Sequence, residues 1–155
     1  DLPVERMRIP GEGWGLTNDG QQLIYSDGSE RLYYVSPGEH RITRVIDVQE
    51  DGKPVSRLNE LEWIDGRIWA NVWLTNRIVI IDPDSGVVEG SIDLRGLMSI
   101  MQRPADMNPQ DDVLNGIARN PADGGIWVTG KNWPFLYRIE LVPVPAGTTP
   151  GGKTR

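Results

Sequence analysis

The sequence predicts an all-β chain built as a β-propeller, on three observations. Apolar and polar residues alternate on either side of Asp19-Gly20, Asp65-Gly66 and Asp123-Gly124-Gly125, and an Asp-Gly pair between such runs is the strongest short-range mark of a hairpin. The pattern then recurs, with Asn59 standing about 46 residues after the equivalent Gly13, a spacing in the range of four-stranded blades. The 18 glycines and 12 prolines are many for a helical protein but suit short strands joined by tight turns.

Residues 1–10 hold Pro3 and Pro10 around Val4, Met7 and Ile9, which reads as an extended segment entering a sheet edge. A first unit follows, with strands expected at 12–17, 22–26, 31–36 and 42–48, closed by Asp51-Gly52-Lys53-Pro54. The second repeats it at 59–64, 67–73, 77–82 and 87–93. Residues 94–112 break the pattern: Leu97, Ile100 and Met101 have helical spacing and Pro104 would end the turn, so a short helix and then an exposed loop are expected. A third unit has strands at 114–119, 125–130 and 134–141, after which Pro143, Pro145 and Pro150 count against a fourth. The expected organisation is a partial propeller over 1–145, with blades near 11–52, 53–94 and 113–145, and a disordered tail at 146–155. Propellers close with roughly four to eight blades. Another segment, or a second chain, would have to complete this ring.

At 155 residues with 38% apolar and 25% charged residues, the chain has the composition of one ordinary globular domain. Its 22 acidic against 16 basic residues disfavour nucleic acid and anionic membrane surfaces as partners. No apolar run approaches the roughly 20 residues that span a bilayer, and Asp1-Leu2-Pro3-Val4 does not read as an export leader. The absence of Cys and the single His40 leave no thiol nucleophile, no convincing transition-metal cluster and no Ser-His-Asp candidate.

In a propeller blade, the start of the innermost strand and the end of the second share one face of the central channel. That places Trp14, Asn59 and Asn115, with Asp27, Trp73 and Lys131, around one mouth. Trp14 lies between Gly13 and Gly15, where a ligand can approach closely, and Trp73 lies at a turn, so the two offer aromatic walls to a small, partly apolar ligand. Lys131 supplies a cation there. Its setting lacks the spacing and following helix of a phosphate loop, which argues against a nucleotide. Asn59 and Glu60 are adjacent in a strand, so only one of them can face the channel.

Glu12-Gly13-Trp14-Gly15-Leu16-Thr17, Ser26-Asp27-Gly28-Ser29, Leu58-Asn59-Glu60-Leu61-Glu62, Ala70-Asn71-Val72-Trp73, Ile81-Asp82-Pro83, Asp112-Val113-Leu114-Asn115-Gly116-Ile117-Ala118 and Val128-Thr129-Gly130-Lys131-Asn132-Trp133-Pro134 together resemble the plant- and bacterial-type glutaminyl cyclases, or glutamine cyclotransferases. The resemblance covers nearly all of residues 11–141. It implies a five-bladed propeller that converts N-terminal glutamine of peptides to pyroglutamate with release of ammonia, without a catalytic zinc or other cofactor. It further implies that Asn59 hydrogen-bonds the substrate, that Lys131 sets a positive charge beside it, and that Trp14 and Trp73 wall the pocket. The family's two earlier blades, which carry a glutamate held to move the proton, have no counterpart in this sequence, and Glu60 is the local candidate for that task. Family members are commonly exported or vacuolar, which implies an extracytoplasmic site. The alternatives are a non-catalytic propeller module that binds peptide N-termini, and a purely structural repeat protein.

Overall fold

The computed structural model describes residues 4–98, 103–108 and 110–144. Among these, thirteen strands and no helix occur. The first blade orders β1 (Leu16–Asn18), β2 (Leu23–Ser26), β3 (Arg31–Ser36) and β4 (Arg41–Asp47) as an antiparallel meander. A small hairpin of β5 (Gln49–Glu50) and β6 (Lys53–Pro54) follows, at residues the sequence reading treated as a closing turn. The second blade consists of β7 (Leu58–Ile64), β8 (Arg67–Val72), β9 (Arg77–Ile81) and β10 (Val88–Asp93), and the third of β11 (Leu114–Arg119), β12 (Ile126–Gly130) and β13 (Tyr137–Ile139). Among the described residues the third sheet has three strands, where a full blade has four. The expected helix around Leu97–Met101 falls partly, and the expected tail wholly, outside the described residues. Residues 4–10 form no strand; Met7 and Ile9 pack instead against Tyr25, Tyr33 and Val35.

Asp65 and Gly66 both adopt positive φ, 49° and 78°. This is the backbone of the two-residue turn whose twist matches its strands. The hairpins at Asp19-Gly20 and Asp123-Gly124 are longer loops.

Alternation decides which side chains fill the seams between blades. From β8, Ile68, Ala70 and Val72 turn toward Ile24, Leu32 and Tyr34 of the first blade, while Trp69 turns toward Leu114, Ile117 and Val128 of the third. Period-two alternation buries both faces of this middle sheet. Tyr34 locks the first seam, since its hydroxyl donates to the Pro83 carbonyl at 2.9 Å and the Arg44 guanidinium lies 3.9 Å from its ring centroid. The innermost strands β1, β7 and β11 lie side by side, and one hydrogen bond repeats between them. Trp63 N–H donates to Thr17 Oγ1 at 3.1 Å, and Arg119 N–H donates to Glu62 Oε1 at 3.1 Å. Meandering sheets set face to face with adjacent inner strands are the blades of a β-propeller.

Candidate active site at the channel mouth

Two β-bulges aim the polar side chains of this site. In the second blade Leu58 pairs with Val72 but Leu61 with Ala70, and in the third Leu114 pairs with Gly130 but Ile117 with Val128. Each inner strand therefore has one more residue than its partner at its start, and such a bulge re-aims side chains locally. Asn59 and Glu60 together oppose Asn71, and Asn115 and Gly116 together oppose Thr129.

Trp14, Asn59, Trp73, Asn115 and Lys131 line one pocket of about 280 Å³, together with Glu12 and Gly13. Five of the six positions expected around the mouth are thus brought together from three blades. The indoles of Trp14 and Trp73 meet edge to face, with centroids 5.4 Å apart and an interplanar angle of 80°. They form a corner rather than two opposed walls. Asn59 is 5% exposed, and its carbonyl accepts from Ser26 Oγ at 2.6 Å, which in turn accepts from Gly15 N–H at 2.9 Å. Gly15 has no alternative here: a Cβ on it would stand 2.0 Å from the Asn59 carbonyl oxygen. Asn115 Oδ1 accepts from Glu60 N–H at 3.3 Å, which directs its amide NH₂ away from that bond. Lys131 N–H donates to the Val113 carbonyl at 2.9 Å, fixing the backbone from which the exposed ammonium extends.

Asp27 is the expected mouth residue that the structure places elsewhere. Its carboxylate accepts from Ser29 N–H and Oγ–H and from the Tyr33 hydroxyl at 2.9 Å, and it is not on the pocket wall. Burial works against its charge, yet these hydrogen bonds prevail and hold its carboxyl below the usual carboxylate range. Its neighbour Gly28 underlies the Trp14 ring, where a Cβ would approach to 2.7 Å.

Glu60 does not line the pocket. It sits in the seam between the second and third blades, with Oε2 buried and unpartnered among the described residues. Burial first, and the charge of Glu62 second, push its carboxyl up to about 8, against a hydrogen bond from the Ile117 backbone. Sequence reasoning missed Glu12 as a wall residue. The signal was present, because Glu12 and Trp14 are two apart in an extended segment and share a face. Among the described residues, no group of three or more His, Asp or Glu side chains is placed to hold a metal ion.

Antiparallel meanders whose strand ends bring an amide pair, a cation and an indole corner to one pocket define the class of protein as a β-propeller. The sequence profile of glutamine cyclotransferases matches residues 3–141, and the chain belongs to that family. It is 42% identical over 134 residues to the glutaminyl-peptide cyclotransferase of Arabidopsis thaliana, covering 84% of this chain and 40% of that protein. It superposes on the crystal structure of Myxococcus xanthus glutaminyl cyclase with a TM-score of 0.80 at 39% identity, covering 88% of this chain and 58% of that one. The chain therefore spans between two-fifths and three-fifths of the length of these relatives.

Proposed function

We propose that this chain forms the substrate pocket of a glutaminyl-peptide cyclotransferase, in a propeller completed by further blades of the same protein or of a second chain. The observation that carries this reading is the convergence of Trp14, Asn59, Trp73, Asn115 and Lys131 on one pocket, in a chain of this family. About 280 Å³ lies at the small end of ligand clefts, a size for one terminal residue rather than a whole peptide.

The reaction needs the neutral α-amine to attack the Cδ carbonyl of its own side chain. A new N–Cδ bond forms, the Cδ–Nε2 bond breaks, and one amine proton leaves with the ammonia. The Trp14–Trp73 corner favours the curled side chain, an orientation effect that removes part of the entropic barrier. The Asn59 carboxamide and the Lys131 ammonium face the oxygen on which negative charge develops, where loss of one donor typically costs about a hundredfold in rate or more. Glu12 places a carboxylate beside the substrate amine. Proton delivery to the leaving group is assigned, following the family resemblance, to a carboxylate of the completing blades.

The test is ammonia release and pyroglutamate formation from a glutaminyl peptide, using the intact protein. Lys131→Ala and Asn59→Ala should each lower turnover about a hundredfold or more while the circular dichroism of the sheets persists. Full turnover in both variants would overturn the assigned roles. Peptide held but never cyclised by the parent protein would establish the binding-module reading in its place.

A further inference from the structure

Outside the pocket, the second and third blades grip one another at their two bulges. Glu60 N–H donates to Asn115 Oδ1 at 3.3 Å, and Gly116 N–H donates to Asn71 Oδ1 at 3.0 Å. The Ile117 backbone N–H donates to the Glu60 carboxyl. β7 thus gives one N–H to a side chain of β11, and β11 returns two, to side chains of β7 and β8. In a regular strand successive N–H groups leave by opposite edges; the extra residue at Asn115-Gly116 lets positions 116 and 117 both turn toward the second blade. The bulge has no slack, since a Cβ on Gly116 would stand 2.7 Å from Thr129 Cγ2.

Every contact of this clasp falls beside a pocket amide. Asn59 precedes Glu60 and Asn115 precedes Gly116, and both asparagines stand on the pocket wall, whereas Glu60 and Asn71 do not. Asn71 is fully buried. Its Nδ2 and the Glu60 Oε2 are buried without a partner among the described residues, a state a neutral carboxyl tolerates far better than a charged one. The strands packed against β7 bring little to neutralise such a charge. Arg67 of β8 is engaged by Glu89 at 2.5 Å and Arg119 of β11 by Asp65 at 2.6 Å. β1 carries no titratable group, and β2 only Tyr25, which turns away to stack on Tyr33. Glu62, on the same strand as Glu60, adds a like charge, and the pocket wall carries Glu12 and Lys131.

We propose that Glu60 is a positioning residue: its clasp on the β11 bulge holds the Asn59 and Asn115 carboxamides against the substrate, and it loosens when Glu60 takes up a charge. The inference rests on the cyclisation reading above. Burial and Glu62 push the Glu60 carboxyl up to about 8, so it is largely neutral at pH 7 and the clasp is closed. As pH rises through that value the anion is stabilised by reaching water, which parts the seam at the residues that carry the two amides. Catalysis that depends on donor placement is sensitive to such a shift, since a misplacement of about 1 Å can cost a hundredfold.

The experiment measures kcat and KM for one glutaminyl peptide from about pH 6 to about pH 9 in the intact protein, in Glu60→Gln and in Glu60→Met, with circular dichroism confirming the sheets at each pH. Taking each variant as a ratio to the parent cancels the titration of the substrate amine, which is common to all three. Glu60→Gln keeps an uncharged acceptor for the Ile117 N–H. Its kcat/KM ratio should stay near one at the acid end and climb to about tenfold at about pH 9, one unit above the parent's carboxyl. Glu60→Met has a similar volume but no such acceptor, and should lose about tenfold or more in kcat at about pH 6 with KM nearly unchanged. A flat ratio for Glu60→Gln across this range would overturn the clasp and leave the cyclisation reading standing, as would Glu60→Met turning over like the parent. Glu60→Gln without turnover at any pH would make Glu60 the proton carrier and overturn its positioning role. No turnover by the parent would overturn the cyclisation reading itself, and this inference with it.

Discussion

Trp14 of the first blade rests edge-on against Trp73 of the second, 5.4 Å between centroids, so the aromatic part of the pocket is itself an inter-blade contact. An edge-to-face pair is worth about 0.5–1.5 kcal/mol beyond the area it buries. Trp73→Ala should therefore cost about 1 kcal/mol of stability for the pair alone, on top of the area the half-buried indole loses, while raising KM for a glutaminyl peptide about tenfold. Denaturant unfolding beside steady-state kinetics separates the two effects. A large stability loss with KM unchanged would make the pair purely architectural.

Glu60 gives a pH dependence whose sign is fixed by its burial. Its carboxyl is raised from its ordinary value of 4.5 to about 8 in the folded protein, so the folded state binds more protons than the unfolded one between those limits. The resulting stabilisation is complete below about pH 4.5 and is lost as pH rises through about 8. Glu60→Gln, which stays neutral throughout, should melt close to the parent at pH 4.5 and at a higher temperature than the parent at pH 9, by an amount corresponding to about 1–4 kcal/mol. Parallel melting curves at both pH values would refute the assignment.

Most of the sheet framework could be read from alternation and turn chemistry. Asp65-Gly66 is the tight turn expected of it, and β3, β8 and β11 fall within a residue of their expected bounds. The mouth was legible because strand order in a blade fixes which ends meet. What alternation could not show was the bulges. Leu58 and Leu61 are both buried although three apart, an offset that breaks the period of two and marks the extra residue. The same Leu-Asn-x-apolar run recurs at Leu114-Asn115-Gly116-Ile117. Asp27 was misplaced because Ser29 and Tyr33 capture its carboxylate, a contact that strand geometry alone does not encode. The β5–β6 hairpin escaped notice because two-residue strands carry no periodicity.

Glu12 is the acidic group on the pocket wall, and its role is separable from that of Lys131. Glu12→Gln keeps size and polarity but removes the charge. It should raise KM about threefold to tenfold with a smaller change in kcat, because it weakens capture of the substrate amine without touching the developing oxyanion. A kcat loss as deep as that of Lys131→Ala would instead make Glu12 the proton carrier.

Gly15 should be intolerant of even one added methyl. Gly15→Ala forces its Cβ against the Asn59 carbonyl, and overpacking of this kind costs typically about 1–3 kcal/mol. Because the obstructing atom belongs to Asn59, kcat should fall as well, even in the fraction that remains folded. Active-site titration combined with urea unfolding tests both parts, and undiminished turnover would show that the Asn59 amide does not depend on this seam.

The empty space at Gly15 is thus a form of information. The residue has no side chain with which to meet a substrate, yet an addition at position 15 is reported one blade away, at position 59. In a ring made of repeated units, a requirement for one amide in one repeat is inherited by its neighbour as a prohibition. A comparison of repeats that looks for shared side chains would pass over it, since what the neighbour preserves is a vacancy the width of one carbon atom.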